Sequence, residues 1–143
     1  MSATRRRVVA AHRAESARGA IRFRGIRGAV TAEENTEHAI MGATSELLRK
    51  MLQANGVEVT DIAGVVFTAT PDLTACFPAE AGRRLPGWSQ VPLLCAQEIP
   101  VPGALAKCVR VLMFVSTNRD PAEIHHVYLR GAEQLRPDLM PGS

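Results

Sequence analysis

Several kinds of motif are missing from this sequence of 143 residues, and their absence excludes several classes of protein. Only three cysteines are present, Cys76, Cys95 and Cys108, with neither a CxxC pair nor a cluster of histidine and cysteine. A disulfide framework and a zinc site are therefore not expected, and free thiols are typical of the reducing cytoplasm. No apolar run reaches the roughly 18 residues that a membrane-spanning helix needs, so no membrane association is expected.

The motifs of common catalytic chemistries are also missing. The sequence contains no glycine-rich phosphate loop, no Ser-His-Asp order and no metal-ligand spacing. His125 and His126 are adjacent, and neighbouring residues on a strand point to opposite faces, so they do not form an acid–base pair. Hydrolase and nucleotide-binding functions are therefore without support.

Positive charge is concentrated at the amino terminus. Of the net charge of +3, residues 1–20 carry +4, from five arginines and one acid, which leaves −1 for residues 21–143. A nucleic-acid-binding domain would spread its positive charge over a folded face, so nucleic acid is not expected as a partner. Residues 1–20 also show no periodicity. We expect a disordered basic extension there, with an arginine-rich transit peptide as the alternative, and one domain at 21–143.

The apolar pattern predicts five strands and two helices. The predicted strands are 21–30, 62–69, 91–99, 108–117 and 125–129. A long amphipathic helix is predicted between Thr31 and Gly56, because Thr31 and Glu34 match a capping box and Gly56 can end a helix. A short helix is predicted over 78–85. The order strand, helix, strand, helix and three strands predicts an α/β or α+β domain with helices on one side of a mixed sheet.

The candidate functional residues are polar side chains within or beside apolar strands. Arg110 lies inside CVRVLMFV and Glu98 ends VPLLCAQEI, and a charge in such a position needs a partner or a ligand. The other candidates are Arg27, Arg83, Arg84 and Tyr128. Several arginines, one carboxylate and one phenol suit a small substrate with two or more carboxylates, because the guanidinium fork matches carboxylate geometry.

Each candidate also has a structural interpretation. Arg110 and Glu98 could form an ion pair with each other across the sheet, with no ligand involved. Arg83 and Arg84 could be solvated on the short helix. The cysteines could be small buried apolar residues rather than reactive thiols.

A series of longer motifs, taken in order, resembles one family. The motifs are FRGIRGA at 23–29, TATPDL at 68–73, FPA at 77–79, GW at 87–88, VPLLCAQE at 91–98, KCVRV at 107–111, HVYL at 126–129 and LRPDL at 135–139. Together they resemble the monofunctional, trimeric pseudo-α/β-barrel chorismate mutases, the class distinct from the all-helical chorismate mutases. The resemblance extends from about residue 21 to residue 140.

The resemblance implies a fold, an assembly and a reaction. It implies a cytoplasmic homotrimer that forms a pseudo-α/β-barrel, with helices outside and active sites between neighbouring subunits. The implied reaction is the Claisen rearrangement of chorismate to prephenate, in phenylalanine and tyrosine biosynthesis, without cofactor or metal. The alternatives are a trimeric imine/enamine deaminase of similar architecture and a non-catalytic protein that binds chorismate or a related dicarboxylate.

The resemblance also implies site residues. Arg110 matches the family arginine that donates to the ether oxygen, and Glu98 matches the carboxylate that binds the substrate hydroxyl. Residues matching substrate contacts are Arg27, Phe77, Ala79, Arg83, Leu94, Cys95, Ala96, Gln97, Tyr128, Leu135 and Arg136. Arg27 and Tyr128 match groups that hold a substrate carboxylate. Leu135 and Arg136 belong to a carboxyl-terminal segment, from about residue 131, that is implied to be mobile and to close over the site.

Two positions depart from the family pattern. Glu80 stands where lysine is frequent, and a negative charge at the mouth of a site for a dianion is expected to weaken electrostatic steering. Leu94 stands where threonine is common, so a side-chain hydroxyl contact is lost there. Neither departure affects Arg110 or Glu98, and we therefore expect activity with an altered KM.

Overall fold

A computed structural model describes residues 20–139, so most of the expected basic extension lies outside the described residues. Within them, five strands form one mixed sheet: β1 (Arg22–Thr31), β2 (Ile62–Ala69), β3 (Leu93–Gln97), β4 (Cys108–Thr117) and β5 (Val127–Leu129). The α-helices there are α1 (Glu37–Asn55) and α2 (Ala79–Arg83). Short 3₁₀ helices occupy Val59–Asp61, Trp88–Gln90, Pro121–Glu123, Arg130–Leu135 and Pro137–Leu139. The predicted order of elements and the α+β class are confirmed.

The long strand β4 lies at the centre of the sheet, whose strand order is β3-β2-β4-β1-β5. It pairs antiparallel with both β1 and β2, whereas β2 with β3 and β1 with β5 are parallel pairs. In this register Arg110 lies opposite Ala29 on one side and Thr68 on the other. Strands β1 and β2 therefore flank the strand that carries Arg110, and β3 and β5 form the two edges of the sheet.

One face of the sheet forms the hydrophobic core against α1. Alternate residues of β4 point into this core, as period-two alternation predicts: Val109, Val111, Met113 and Val115. From the helix, Leu47, Leu48 and Met51 are fully buried against them. Gly28 permits this close approach, since a Cβ atom there would lie 2.5 Å from Sδ of Met51.

The opposite face of the sheet carries apolar side chains that nothing within residues 20–139 covers. Phe23 is 63% exposed and Leu94 is 64% exposed, and Leu112 is also exposed. The rings of Phe23 and Phe114 stack on this face with their centroids 5.5 Å apart. A contiguous apolar surface of this kind is typical of an interaction site.

The start of α1 differs from the prediction. Thr31 is not the N-cap but the last residue of β1, where it pairs with Cys108, and its hydroxyl accepts a hydrogen bond from the Gly131 N–H. Thr36 is the N-cap, with an extended backbone and a side chain that accepts from the Ala39 N–H. Pairing with β4 prolongs β1 through Thr31 and so overrides the local capping pattern. At the other end, Gly56 adopts the left-handed conformation, as predicted.

Strand β3 is shorter than the predicted 91–99, although its hydrogen-bond ladder continues for one residue beyond Gln97. Pro92 and Pro100 cannot donate hydrogen bonds and flank the strand. The Glu98 N–H nevertheless donates to the Ala69 carbonyl at 2.9 Å, so the backbone of Glu98 is held beside β2. Among the described residues, none of the helices has the length and apolar character needed to span a membrane.

Candidate active site

A cleft of about 400 Å³ on the open face of the sheet brings six of the candidate residues together. The six are Arg27, Glu98, Arg110, Tyr128, Leu135 and Arg136. They come from β1, the end of β3, β4, β5 and the carboxyl-terminal segment, and the cleft floor is completed by residues of β1, β2 and β4. We call it the arginine cleft.

Arg110 and Glu98 form an ion pair within the arginine cleft. Nε of Arg110 lies 3.8 Å from Oε2 of Glu98. The Arg110 side chain is 50% exposed and the Glu98 side chain 26% exposed, so the pair borders an open cavity rather than a dry interior. The structural interpretation is thus correct in that the two residues pair. The half-exposed position of Arg110 also allows its guanidinium group to donate to a ligand in the cleft.

Thr68 is a further residue of the candidate site, and the sequence does not predict it. Its hydroxyl donates a hydrogen bond to the same Oε2 atom of Glu98 that faces Arg110, and Thr68 also lines the cleft. The signal was a polar residue near the end of an apolar strand, on the face opposite the buried Phe67. The hydroxyl fixes the carboxylate through a hydrogen bond to a charged acceptor, which is stronger than one between neutral groups.

The carboxyl-terminal side of the cleft contains Tyr128 and Arg136. Tyr128 is buried and belongs to a small apolar cluster against which Leu135 packs. Arg136 forms a two-point ion pair with Asp138, at 3.0 Å from Nε to Oδ1 and 2.8 Å from Nη2 to Oδ2. This hydrogen bonding raises the pKa of Arg136 and lowers the pKa of Asp138. Leu135 and Arg136 therefore form the carboxyl-terminal side of the arginine cleft.

His126 lies beside the cleft and was likewise not predicted as a site residue. Its Nδ1 atom accepts a hydrogen bond from the backbone N–H of Arg27 at 2.9 Å. Burial lowers the pKa of His126, and the positive charges of Arg27 and Arg136 lower it further. The imidazole is therefore neutral at pH 7.

A second, wider cleft of about 770 Å³ lies on the side of β3 that faces α2. It contains Phe77, Cys95, Ala96 and Gln97 of the candidate residues, together with Glu80 and Arg84. Of the three cysteines, Cys76 also lines this cleft, and burial raises the pKa of its thiol. Cys108 is buried near Tyr128, where burial likewise raises the pKa of its thiol. We call this cavity the β3 cleft.

Three predicted residues line neither cleft. Ala79 is buried in the core at the start of α2. Arg83 is exposed and forms an ion pair with Glu80, and Leu94 lies on the open apolar face. Arg84 is also exposed and pairs with Glu37, at 3.2 Å. Arg83 and Arg84 are thus both solvated, as the structural interpretation of these two arginines expects. Apart from these three, the predicted site residues of this chain are divided between the two clefts.

Comparisons with known proteins agree on one class. A chorismate mutase AroH from Thermus thermophilus is 55% identical over 117 residues, which cover 81% of this chain and 95% of that protein. A chorismate mutase AroH from Bacillus subtilis is 48% identical over 117 residues, which cover 82% of this chain and 92% of that protein. The solved structure of a chorismate mutase from Clostridium thermocellum superposes with a TM-score of 0.76 at 48% identity and covers 78% of this chain and 98% of that chain.

The fold, the arginine cleft and these relatives define an isomerase of the chorismate mutase class. The family model for chorismate mutase type I matches residues 23–139, and the chain belongs to that family. The match begins within β1 and ends in the last 3₁₀ turn, so it spans both clefts.

Proposed function

We propose that this chorismate mutase rearranges chorismate to prephenate in the arginine cleft, with Arg110 and Glu98 as its catalytic residues. The observation that carries the proposal is the partly exposed Arg110–Glu98 pair, which borders a cavity that also contains Arg27 and Arg136. Such a concentration of guanidinium groups suits a small dicarboxylate. Membership of the chorismate mutase family supports the placement of this step in phenylalanine and tyrosine biosynthesis.

The reaction needs neither a nucleophile nor a proton transfer. An ether C–O bond breaks while a C–C bond forms, so the enzyme has to hold the compact chair-like conformer and stabilise charge as it separates. Arg110 donates to the ether oxygen, which becomes negative in the transition state. Glu98 binds the substrate hydroxyl and faces the cationic side of the ring, while Arg27 and Tyr128 hold a carboxylate. Stabilising developing charge by prepositioned groups is the largest contribution in this kind of catalysis.

The carboxyl-terminal segment supplies the proposed cover of the site. Leu135 packs against the apolar cluster around Tyr128, and Arg136 faces the cleft while bound to Asp138. A substrate carboxylate would compete with Asp138 for the Arg136 guanidinium. We expect the segment from about residue 131 to move when this exchange of partners occurs.

We infer that two neighbouring subunits complete each site. The predicted substrate-binding residues of one chain fall into two regions, the arginine cleft and the surroundings of the β3 cleft. A cyclic arrangement brings different surfaces of adjacent subunits together, so the β3 side of one subunit can form a wall of its neighbour's arginine cleft. Phe77, Arg83, Cys95, Ala96 and Gln97 are proposed to form that wall, with Leu94 reaching it from the open face and Ala79 buried behind it.

The open apolar face of the sheet supports a homotrimer. Phe23, Leu94 and Leu112 are all exposed on it, and a soluble monomer would leave this surface in water. Three such sheets facing one another would bury it and form the barrel. We further propose that the enzyme works in the cytoplasm, where its free cysteines stay reduced, and that residues 21–143 form the catalytic domain without help from residues 1–20.

A chorismate assay with the purified full chain tests this function. Loss of the ultraviolet absorbance of chorismate is expected for the wild type, and Arg110→Ala is expected to lower kcat by about 10²–10³-fold. Arg110→Lys should also lower kcat strongly, because lysine lacks the planar fork. Arg49→Ala, which removes an exposed arginine from α1, is the matched control. Wild-type turnover in Arg110→Ala would refute the assigned mechanism.

A further inference from the structure

The position of Arg27 depends on an interrupted strand ladder. Strand β1 lies between β4 and β5, and Arg27 lies opposite Leu112 of β4. On the other side, pairing of β1 with β5 begins only at Gly28 and Val127. The Arg27 N–H thus points toward β5 one residue before the parallel pairing starts. A side chain, that of His126, supplies the acceptor instead, at 2.9 Å from its Nδ1 atom.

His126 is itself held by α1 through its neighbour. The side chain of Asn55 is buried at the end of α1 and binds the backbone of His125 in both directions. Its Nδ2 donates to the His125 carbonyl and its Oδ1 accepts from the His125 N–H, both at 2.8 Å. The helix therefore fixes the backbone just before β5. Because His126 is part of this backbone, its hydrogen bond to the Arg27 N–H also holds the backbone of Arg27 in place.

We propose that His126 is a positioning residue for the reaction, which holds the backbone of Arg27 so that the guanidinium of Arg27 meets a substrate carboxylate. This inference rests on the proposed role of Arg27 in binding. An imidazole can accept from the Arg27 N–H only while Nδ1 carries no proton. Protonation would place two N–H groups against each other and break the hydrogen bond. His126 thereby makes substrate binding sensitive to acid.

The surroundings of His126 oppose its protonation. Burial removes water from the imidazole. The positive charges of Arg27 from β1 and Arg136 from the carboxyl-terminal segment act in the same direction, and the adjacent His125, which also precedes β5, adds to them. The carboxylate of Asp138 is bound to Arg136, one of these two arginines. The pKa of His126 accordingly lies below its ordinary value of about 6.5. The hydrogen bond is intact at pH 7 and is lost only as the pH falls below that range.

Two variants distinguish the loss of the hydrogen-bond acceptor at residue 126 from its protonation. Asparagine places Oδ1 near the position of Nδ1, so His126→Asn keeps an acceptor that cannot titrate, whereas His126→Leu removes the acceptor and keeps the bulk. For His126→Leu we expect KM for chorismate to rise by about threefold to tenfold with kcat nearly unchanged, because Arg27 binds the ground state and the transition state alike. For His126→Asn we expect a KM close to that of the wild type. His125→Asn, which leaves the Arg27 contact in place, is the matched control.

The pH profile and a measurement without substrate complete the test. As the pH is lowered, kcat/KM is expected to fall in the wild type and in His125→Asn. At the same pH values the fall should be smaller in His126→Asn. In NMR hydrogen exchange, the Arg27 amide should exchange faster in His126→Leu than in the wild type and slowly again in His126→Asn. Unchanged exchange in His126→Leu, or a full acidic fall in His126→Asn, would overturn the inference. Because amide exchange needs no turnover, a protein without mutase activity would refute the proposed function and leave this hydrogen bond testable.

Discussion

The Thr68 hydroxyl donates a hydrogen bond to Oε2 of Glu98, from a central strand to the end of an edge strand. Glu98 is the first residue beyond β3, where its backbone is held by one hydrogen bond to Ala69. The carboxylate would otherwise be free to rotate, since its side chain is partly exposed. Thr68 therefore fixes the acid at the point where Arg110 also approaches it.

Removal of the Thr68 hydroxyl is expected to lower activity. Thr68→Val keeps the shape of the side chain and removes the donor, so Glu98 loses its orienting partner. We expect kcat to fall by about tenfold, equivalent to about 1.4 kcal/mol, near the lower end of what a hydrogen bond to a charged group contributes. Steady-state kinetics with chorismate measure the effect. Thr68→Ser retains the hydroxyl and should recover most of the activity, and equal losses in both variants would argue against an orienting role.

Neutralising Glu80 is expected to improve substrate capture. Glu80 lines the β3 cleft and forms an ion pair with Arg83. Its carboxylate therefore repels the dianionic substrate and also competes with that substrate for Arg83. Glu80→Gln should raise kcat/KM by a few fold at low salt, and the gain should shrink as salt screens the charge. Glu33→Gln removes an exposed acid elsewhere as the control. A gain of the same size in Glu33→Gln would mean that only net charge matters.

Much of the fold could be predicted because its signals are local. The alternation in β4 predicts that Arg110 lies on the face of the sheet opposite to the buried valines of the same strand, and Gly56 predicts the end of α1. The start of α1 could not be predicted in the same way. The capping pattern at Thr31 is local, but the pairing with β4 that keeps Thr31 in a strand involves Cys108, 77 positions further along the chain.

The site was predictable to a similar degree, and for a similar reason. The motifs that carry the family resemblance contain all six candidates that meet in the arginine cleft. Thr68 and His126 lie in those motifs too, but their roles depend on contacts between distant strands. Thr68 reaches Glu98 only through the register of β2 with β3, and His126 reaches Arg27 because the pairing of β1 with β5 starts one residue late.

A charge on the open face of the sheet is expected to separate the subunits. Phe23 is 63% exposed and stacks on Phe114, so Phe23→Glu should leave the fold of one subunit intact. In a trimer that buries this face, the same change would place an unpaired carboxylate in an apolar interface, which costs several kcal/mol as a rough figure. Sedimentation analysis should therefore show the wild type at three times the subunit mass and Phe23→Glu at one.

The matched control for this change is Gln53→Glu, which adds the same charge at an exposed position of α1 and should remain trimeric. Circular dichroism should show the same helix and strand content in both variants, since neither replaces a core residue. The shared-site proposal adds a further expectation: Phe23→Glu subunits should have little mutase activity at concentrations where they are monomeric, because the β3 side of a neighbour is then missing. A fully active monomer would show that one subunit contains a complete site.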